Sequence, residues 1–217
     1  MAMKTILVTG FAAFGGEEIN PSWEAVKQLD QLIIDEHQLI ARQLPCSFAE
    51  SSQHLTTLLE ELQPQIVLNI GQAGGRLDIS LERVAINLDD ARIADNLGAQ
   101  PIDQIIIKDG PSAYFTNLPL KAILQTARSN GIPASISYSA GTFVCNHVFY
   151  TLMHWINTVN PAIKGGFIHI PYLPEQAAVL GAQPSMTRET VISGLKIILK
   201  TIITTPQDIS AVGGTIC

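Results

Sequence analysis

The segment Ala134–Asn157, ASISYSAGTFVCNHVFYTLMHWIN, reads as a strand, a glycine turn and a long helix in direct succession. Ala134–Tyr138 has the look of a buried strand, and Thr142–Asn157 carries apolar residues at helical spacing. Gly141 permits a tight turn between them, and Thr142 can cap the helix. The same succession recurs on both sides. Lys4–Thr9 (KTILVT) is a buried strand followed by Gly10 and a glycine-containing loop, Phe11 to Glu18. Asn20 at the N-cap and Pro21 at the first helical position then open a helix predicted to run to about Gln31. Gln38–Leu44 alternates as a second strand, Phe48–Leu62 is helical and ends before Pro64, and Gln65–Ile70 (QIVLNI) is a third strand stopped by Gly71.

Further along, Leu77–Leu88 (LDISLERVAINL) alternates apolar and polar throughout and predicts one long strand. Asp89–Asp103 reads as a polar loop, a short strand falls within Ala113–Leu118, and Pro119–Ser129 is a helix closed by Asn130-Gly131. Phe167–Ile170 is a strand ending at Pro171, and Thr187–Thr201 is the last helix, with Glu189 in its first turn. Strands alternating with helices predict an α/β fold whose sheet is mostly parallel and covered on both faces. The long strand around Glu82 breaks the strict alternation, so the sheet is expected to be mixed. No repeat or linker divides the chain, which is read as one domain, 1–217.

Composition narrows the function. The 217 residues carry a net charge of −6 with no run of Lys or Arg, which argues against nucleic-acid binding. No apolar stretch approaches the roughly 18 residues of a membrane span. The first ten residues run straight into a strand pattern rather than a secretory leader. Charged residues make up only 15% of the chain, a sparse surface that suggests contacts between subunits. Cys46, Cys145 and Cys217 are widely spaced with no CxxC pair, which disfavours zinc and dithiol redox sites and suits a reducing, cytoplasmic setting.

Cys145 falls in the first turn of the Thr142–Asn157 helix. The partial positive charge and unpaired N–H groups of a helix N-terminus lower a thiol's pKa and can receive an oxyanion. The competing reading is a buried structural cysteine, and Cys46 and Cys217 are read that way or as incidental. Among the histidines, His147 lies two residues from Cys145 and points elsewhere, His154 is more than two turns away, and His37 and His54 are placed near polar helix ends. His169 ends an apolar strand, and ligand sites in open α/β sheets gather at such strand ends, where the Cys145 helix is also expected to start. Glu82 sits within an apolar alternation and needs a partner; Arg83, Arg92 or a histidine are open to it. The Gly10–Gly16 loop (GFAAFGG) lacks the complete phosphate-binding patterns, and neither GxSxG nor HExxH occurs.

Several segments in register resemble the type I pyroglutamyl peptidases, or pyrrolidone carboxyl peptidases: ILVTGFAAFGGEEINPSWEAV (Ile6–Val26), LNIGQAGGR (Leu68–Arg76), ISLERVAINLDDARIADNLGAQPID (Ile79–Asp103), SAGTFVCNHVFY (Ser139–Tyr150) and GFIHIPYLPEQ (Gly166–Gln176). The resemblance implies a single-domain α/β/α sandwich and a cysteine exopeptidase acting on peptides with an N-terminal pyroglutamate. By motif position it makes Cys145 the nucleophile, His169 the base and Glu82 the acidic member of a triad. It implies a substrate slot lined by Phe11, Phe14, Ile93, Phe143 and Val144, with Asn20 and Gln72 as polar contacts and Arg92 near the oxyanion region. It also implies a homo-oligomer, often a tetramer, and no metal or organic cofactor. Ala94 departs from the family's proline, which bears on the stiffness of the loop carrying Ile93. Two rival readings remain: a nucleoside phosphorylase-like enzyme, or a non-catalytic binder on the same fold.

Overall fold

In the computed structural model, which describes residues 3–214, strand β1 (Lys4–Phe11) leads through a loop to helix α1 (Pro21–Val26). Asn20 caps α1, its side chain accepting from the Ser22 N–H as its position before proline predicts. The helix ends earlier than expected, in a 3-10 turn over Lys27–Leu29. The Asp30 carboxylate accepts from Ala41 N–H at 2.8 Å and Gln31 takes a left-handed φ of 62°, so the chain turns to pair with the next strands instead of continuing the helix. These are the short β2 (Ile33–Ile34) and β3 (His37–Leu44), followed by α2 (Phe48–Leu62) and β4 (Ile66–Gln72). His37 opens β3 and His54 lies within α2, so neither sits at the helix ends expected for them.

The stretch Leu77–Leu88 is not one strand. It divides into β5 (Ile79–Glu82) and β6 (Val84–Ile86), which belong to different sheets. The switch is at Arg83: its N–H donates to Ser137 C=O at 2.8 Å, whereas its own C=O accepts from Thr116 N–H at 3.1 Å. Strand β6 pairs with β7 (Ala113–Phe115) as a small antiparallel sheet. Then come α3 (Leu120–Ser129), β8 (Ala134–Ser137), α4 (Val144–Thr158), β9 (Lys164–Ile170), the short α5 (Pro174–Leu180), which the sequence pattern left unmarked, and α6 (Arg188–Thr204), capped by Thr187.

The seven-stranded sheet has the order β2-β3-β1-β4-β9-β5-β8. Pairs β1–β3, β1–β4, β4–β9 and β5–β8 are parallel, while β2–β3 and β5–β9 are antiparallel, the mixed and mostly parallel sheet that was expected. Strand alternation sends Ile6 and Val8 to one core with side chains of α1, α3 and α6. It sends Leu7, Val67 and Phe167 to the other, with α2 and α4. Among the described residues no helix is long and apolar enough to cross a membrane.

Candidate active site

Strands β5 and β9 run antiparallel, with Ser80 opposite His169 and Leu81 opposite Ile168. Glu82 is therefore a diagonal neighbour of His169 on the same face, close enough for their side chains to meet. The His169 ring donates through Nδ1 to Glu82 Oε1 at 2.8 Å, which leaves Nε2 free to accept a proton. Glu82 is completely buried, and its other oxygen, Oε2, has no hydrogen-bond partner among the described residues. Of the partners open to it in the sequence, the histidine is the one it takes. A second contact comes from Arg76, whose Nη2 lies 3.6 Å from Oε1 and which the sequence reading did not single out.

The Cys145 helix does not reach this place by the expected route. Because β5 is antiparallel to β9 and parallel to β8, the carboxyl end of β8 faces the edge opposite to that of β9. The connector from Tyr138 to Phe143 instead carries the chain to α4, where Cys145 is the second helical residue. Its sulfur packs over Gly71, such that a β-carbon on that glycine would lie 2.9 Å from Sγ. Gly71 is the strand partner of His169 in the parallel β4–β9 pair. The thiol and the imidazole thus face adjacent points of one sheet surface, and the imidazole is backed by Glu82.

Thr142 is not the cap of α4; that position is Phe143, with no side-chain bond, and Thr142 Oγ1 donates to Asp90 C=O at 2.7 Å. The first N–H groups of α4 are therefore free of a side-chain cap and remain available to an anion. Burial pushes the Cys145 thiol well above the ordinary range, and the nearby Cys46 and Glu82 push it the same way. Cys46 is itself buried, its thiol pushed up to about 12 by burial and then by the charge of Asp95, in keeping with a structural role. Cys217 lies outside the described residues. Of the other histidines, His147 Nδ1 is 2.8 Å from Asp89 Oδ2, and His154 Nδ1 is 3.0 Å from the Tyr114 hydroxyl.

A cavity of about 440 Å³ brings together Phe14, Gln72, Arg92 and Ile93, with Tyr172 and Glu17 on its wall. The buried Oε1 of Gln72 has no hydrogen-bond partner among the described residues. Phe143 is half-buried, its ring 6.0 Å from that of Phe14 and 5.3 Å from that of Phe48. Three other slot candidates are placed differently. Phe11 is 2% exposed and packs on Phe167, with ring centres 6.2 Å apart, and Val144 is fully buried in the same core. Asn20 is buried with its amide already engaged: its oxygen accepts from Ser22 N–H and Ser22 Oγ, and its nitrogen donates to Ala12 C=O. It shapes the Phe11–Glu18 loop from behind. Ala94 leaves the Ile93 loop held by its neighbour, since the Asp95 carboxylate accepts from Phe48, Leu97 and Ala99 N–H groups.

The chain is similar to known proteins over nearly its whole length. The family described as "Pyroglutamyl peptidase" matches residues 4–205. A pyrrolidone-carboxylate peptidase of Yersinia pestis (strain Pestoides F) is 54% identical over 214 residues, covering 99% of this chain and 100% of the relative. The crystal structure of pyroglutamyl peptidase I from Bacillus amyloliquefaciens superposes with a TM-score of 0.94 at 47% identity, covering 96% of this chain and 99% of that one. A mutant pyrrolidone carboxyl peptidase from the hyperthermophile Pyrococcus furiosus gives 0.90 at 40% identity, over 92% and 98% of the two chains. None of these supports the phosphorylase-like or the non-catalytic reading. By a family match over nearly its whole length, and by relatives that share its fold and about half its residues, this chain belongs to the pyroglutamyl peptidase family.

Proposed function

We propose that this chain, as one catalytic domain, hydrolyses the peptide bond that follows an N-terminal pyroglutamyl residue and releases free pyroglutamate. The observation that carries the reading is the placement of a helix-borne thiol over Gly71, the strand partner of a histidine whose Nδ1 is bonded to a buried carboxylate at 2.8 Å. His169 Nε2 takes the thiol proton as Cys145 Sγ attacks the carbonyl carbon, and the same nitrogen returns the proton to the leaving amine. Water, deprotonated by His169, then attacks the thioester; its C–S bond breaks, pyroglutamate leaves and the thiol is restored. Glu82 holds the imidazole in the Nδ1–H tautomer and stabilises its cationic form. The uncapped N–H groups of α4 receive the oxyanion, with Arg92 at the adjoining cavity.

Pyroglutamate is a neutral ring with an apolar face and a lactam amide edge. Phe14, Ile93 and Phe143 offer apolar surface to the ring, with Phe11 and Val144 packed behind them, while the unpartnered Gln72 oxygen can accept from the lactam N–H. Such a slot rejects a free α-ammonium, whose burial without a counter-charge is costly. It also rejects proline, which would leave polar groups unpaired.

Two further features belong to this reading. Cys46 and Cys145 are both free thiols, as a cytoplasmic setting requires. Phe115 is 70% exposed and Ile105 67%, which supports burial between copies in a homo-oligomer, here a tetramer, checkable by light scattering.

The test is hydrolysis of a pyroglutamyl amide that carries a fluorescent leaving group, by wild type and by Cys145→Ala. Turnover by the first and none by the folded second is the expected result. No turnover by folded, reduced wild type would overturn the substrate class, and turnover by Cys145→Ala would overturn the nucleophile.

A further inference from the structure

We infer that Arg76 is a positioning residue for the reaction, the cation that keeps the buried Glu82 carboxylate oriented on His169; the inference rests on the proposed function for its kinetic reading. Glu82 is wholly buried, and a buried charge needs pairing. Among the described residues its ion-pair contacts are His169 at 2.8 Å and Arg76 at 3.6 Å. When His169 is neutral, Arg76 is the cation that faces the carboxylate.

The guanidinium is fixed from three sides. Nη1 donates to Ser80 Oγ at 3.3 Å and Nη2 to Ser139 C=O at 3.1 Å, in addition to its approach to Glu82 Oε1. Ser80 is the strand residue opposite His169, and Ser139 lies in the connector that delivers Cys145. Arg76 itself closes the loop that follows Gln72, a wall of the candidate slot. One side chain thus ties together the strand of the acid, the approach to the nucleophile's helix and the slot loop. Two of its nitrogens hold fixed oxygens while the charge is presented to the carboxylate. Arg76 touches none of the reacting atoms, so its effect must pass through Glu82.

A double-mutant cycle separates this role from simple loop bracing. Arg76→Gln is expected to lower kcat about tenfold with KM within about twofold, inside the range of coupling seen for contacting charged groups. Arg76→Lys, which keeps the charge, should recover most of the loss. Once Glu82→Gln has removed the carboxylate charge, adding Arg76→Gln should cost little more. Losses that multiply in the double variant, a rise in KM at unchanged kcat, or a lysine variant no better than glutamine would each overturn the inference. If Arg76→Gln does not fold, the lysine variant decides: kcat near wild type supports the charge role, and a tenfold loss overturns it. The same cycle read as the rate of iodoacetamide alkylation of Cys145, followed by mass spectrometry, needs no substrate. It decides the Arg76 question even if the wild type fails on pyroglutamyl amides, a failure that would strike the proposed function alone.

Discussion

The sulfur of Cys145 occupies the space above Gly71 that a side chain at position 71 would need: a β-carbon there would stand 2.9 Å from Sγ, and also 2.9 Å from the ring of Phe167. The glycine is required by this close approach and not by backbone conformation, since Gly71 is not among the glycines with positive φ. Gly71→Ala should therefore cost about 1–3 kcal/mol of stability through overpacking. It should cost turnover far more, about a hundredfold, because a thiol displaced by about 1 Å loses its line to His169. Unfolding midpoint and kcat measured together check this, and a variant with near-normal kcat would refute the placement of the thiol.

Electrostatics at Cys145 set a competition that magnitudes resolve. A helix N-terminus favours an anion by about 0.3–1 kcal/mol, up to ~2 in partly buried geometries. Burial can shift a titratable group by several pKa units, each about 1.4 kcal/mol. At Cys145 burial pushes the thiol upward, and Cys46 and Glu82 push it the same way. On the proposed function, the thiolate then forms as His169 accepts its proton. The rate of alkylation of Cys145 by iodoacetamide should accordingly keep rising from about pH 7 to beyond about pH 9, past the ordinary thiol range. A plateau already reached below neutrality would show a preformed thiolate and contradict the burial argument.

Much of the fold is legible because its signals are local. Helix α2 runs over Phe48–Leu62, the span that apolar spacing and Pro64 predict, and Asn20-Pro21 marks the start of α1. The division at Arg83 is not legible, because apolar alternation continues through it: Ala85 on β6 is as buried as Leu81 on β5, and only the partner strand changes. The direction of β8 was hidden for the same reason, since a strand's sequence does not say which way its neighbour runs. At the site, the sequence leaves Glu82 open to Arg83, Arg92 or a histidine. The choice is made by the β5–β9 register, a contact between residues 87 apart. Arg76 closes the segment LNIGQAGGR without any role marked for it, because its meaning depends on that same register. Asn146 has no role marked for it either, because an amide in a helix reads as solvent-facing.

Asn146 is completely buried, and its side chain is bonded only to backbone. Its oxygen accepts from Ile86 N–H at 3.0 Å, while its nitrogen donates to Ile86 C=O at 2.9 Å and Leu88 C=O at 3.0 Å. The residue beside Cys145 thereby fastens α4 to the segment that continues into the Arg92–Ile93 loop. Asn146→Ala would strand these groups and should cost about 2–4 kcal/mol, given about 1–3 for each buried group left unpaired. The loosened loop should raise KM for the pyroglutamyl amide by more than it lowers kcat. Urea unfolding and steady-state kinetics test the two parts separately. Unchanged stability would show that the bonds to Ile86 and Leu88 contribute nothing, and unchanged KM would show that the loop does not depend on them.

Cys46 makes alkaline stability a quantitative test of the second core. Its folded pKa is raised from 9.0 to about 12. The unfolded chain thus releases the thiol proton at lower pH than the folded chain does. The sign follows from linkage: the stabilisation is fully present below about pH 9 and is lost as pH rises towards about pH 12. At about pH 10 the unfolded state has gained about 1 kcal/mol from this one group. Cys46→Ala removes the thiol and with it this slope, whatever the substitution costs at neutral pH. Other groups that resist ionisation, such as the Tyr150 hydroxyl, raised to about 12 by burial and then by Tyr114, act equally in both proteins and cancel in the comparison. Urea unfolding at about pH 8 and about pH 10 should show wild type losing about 1 kcal/mol more than the variant over that interval. Equal losses would mean that Cys46 is reached by solvent in the folded protein, and that the packing of Leu44, Phe48 and Cys46 behind the slot is looser than its burial indicates.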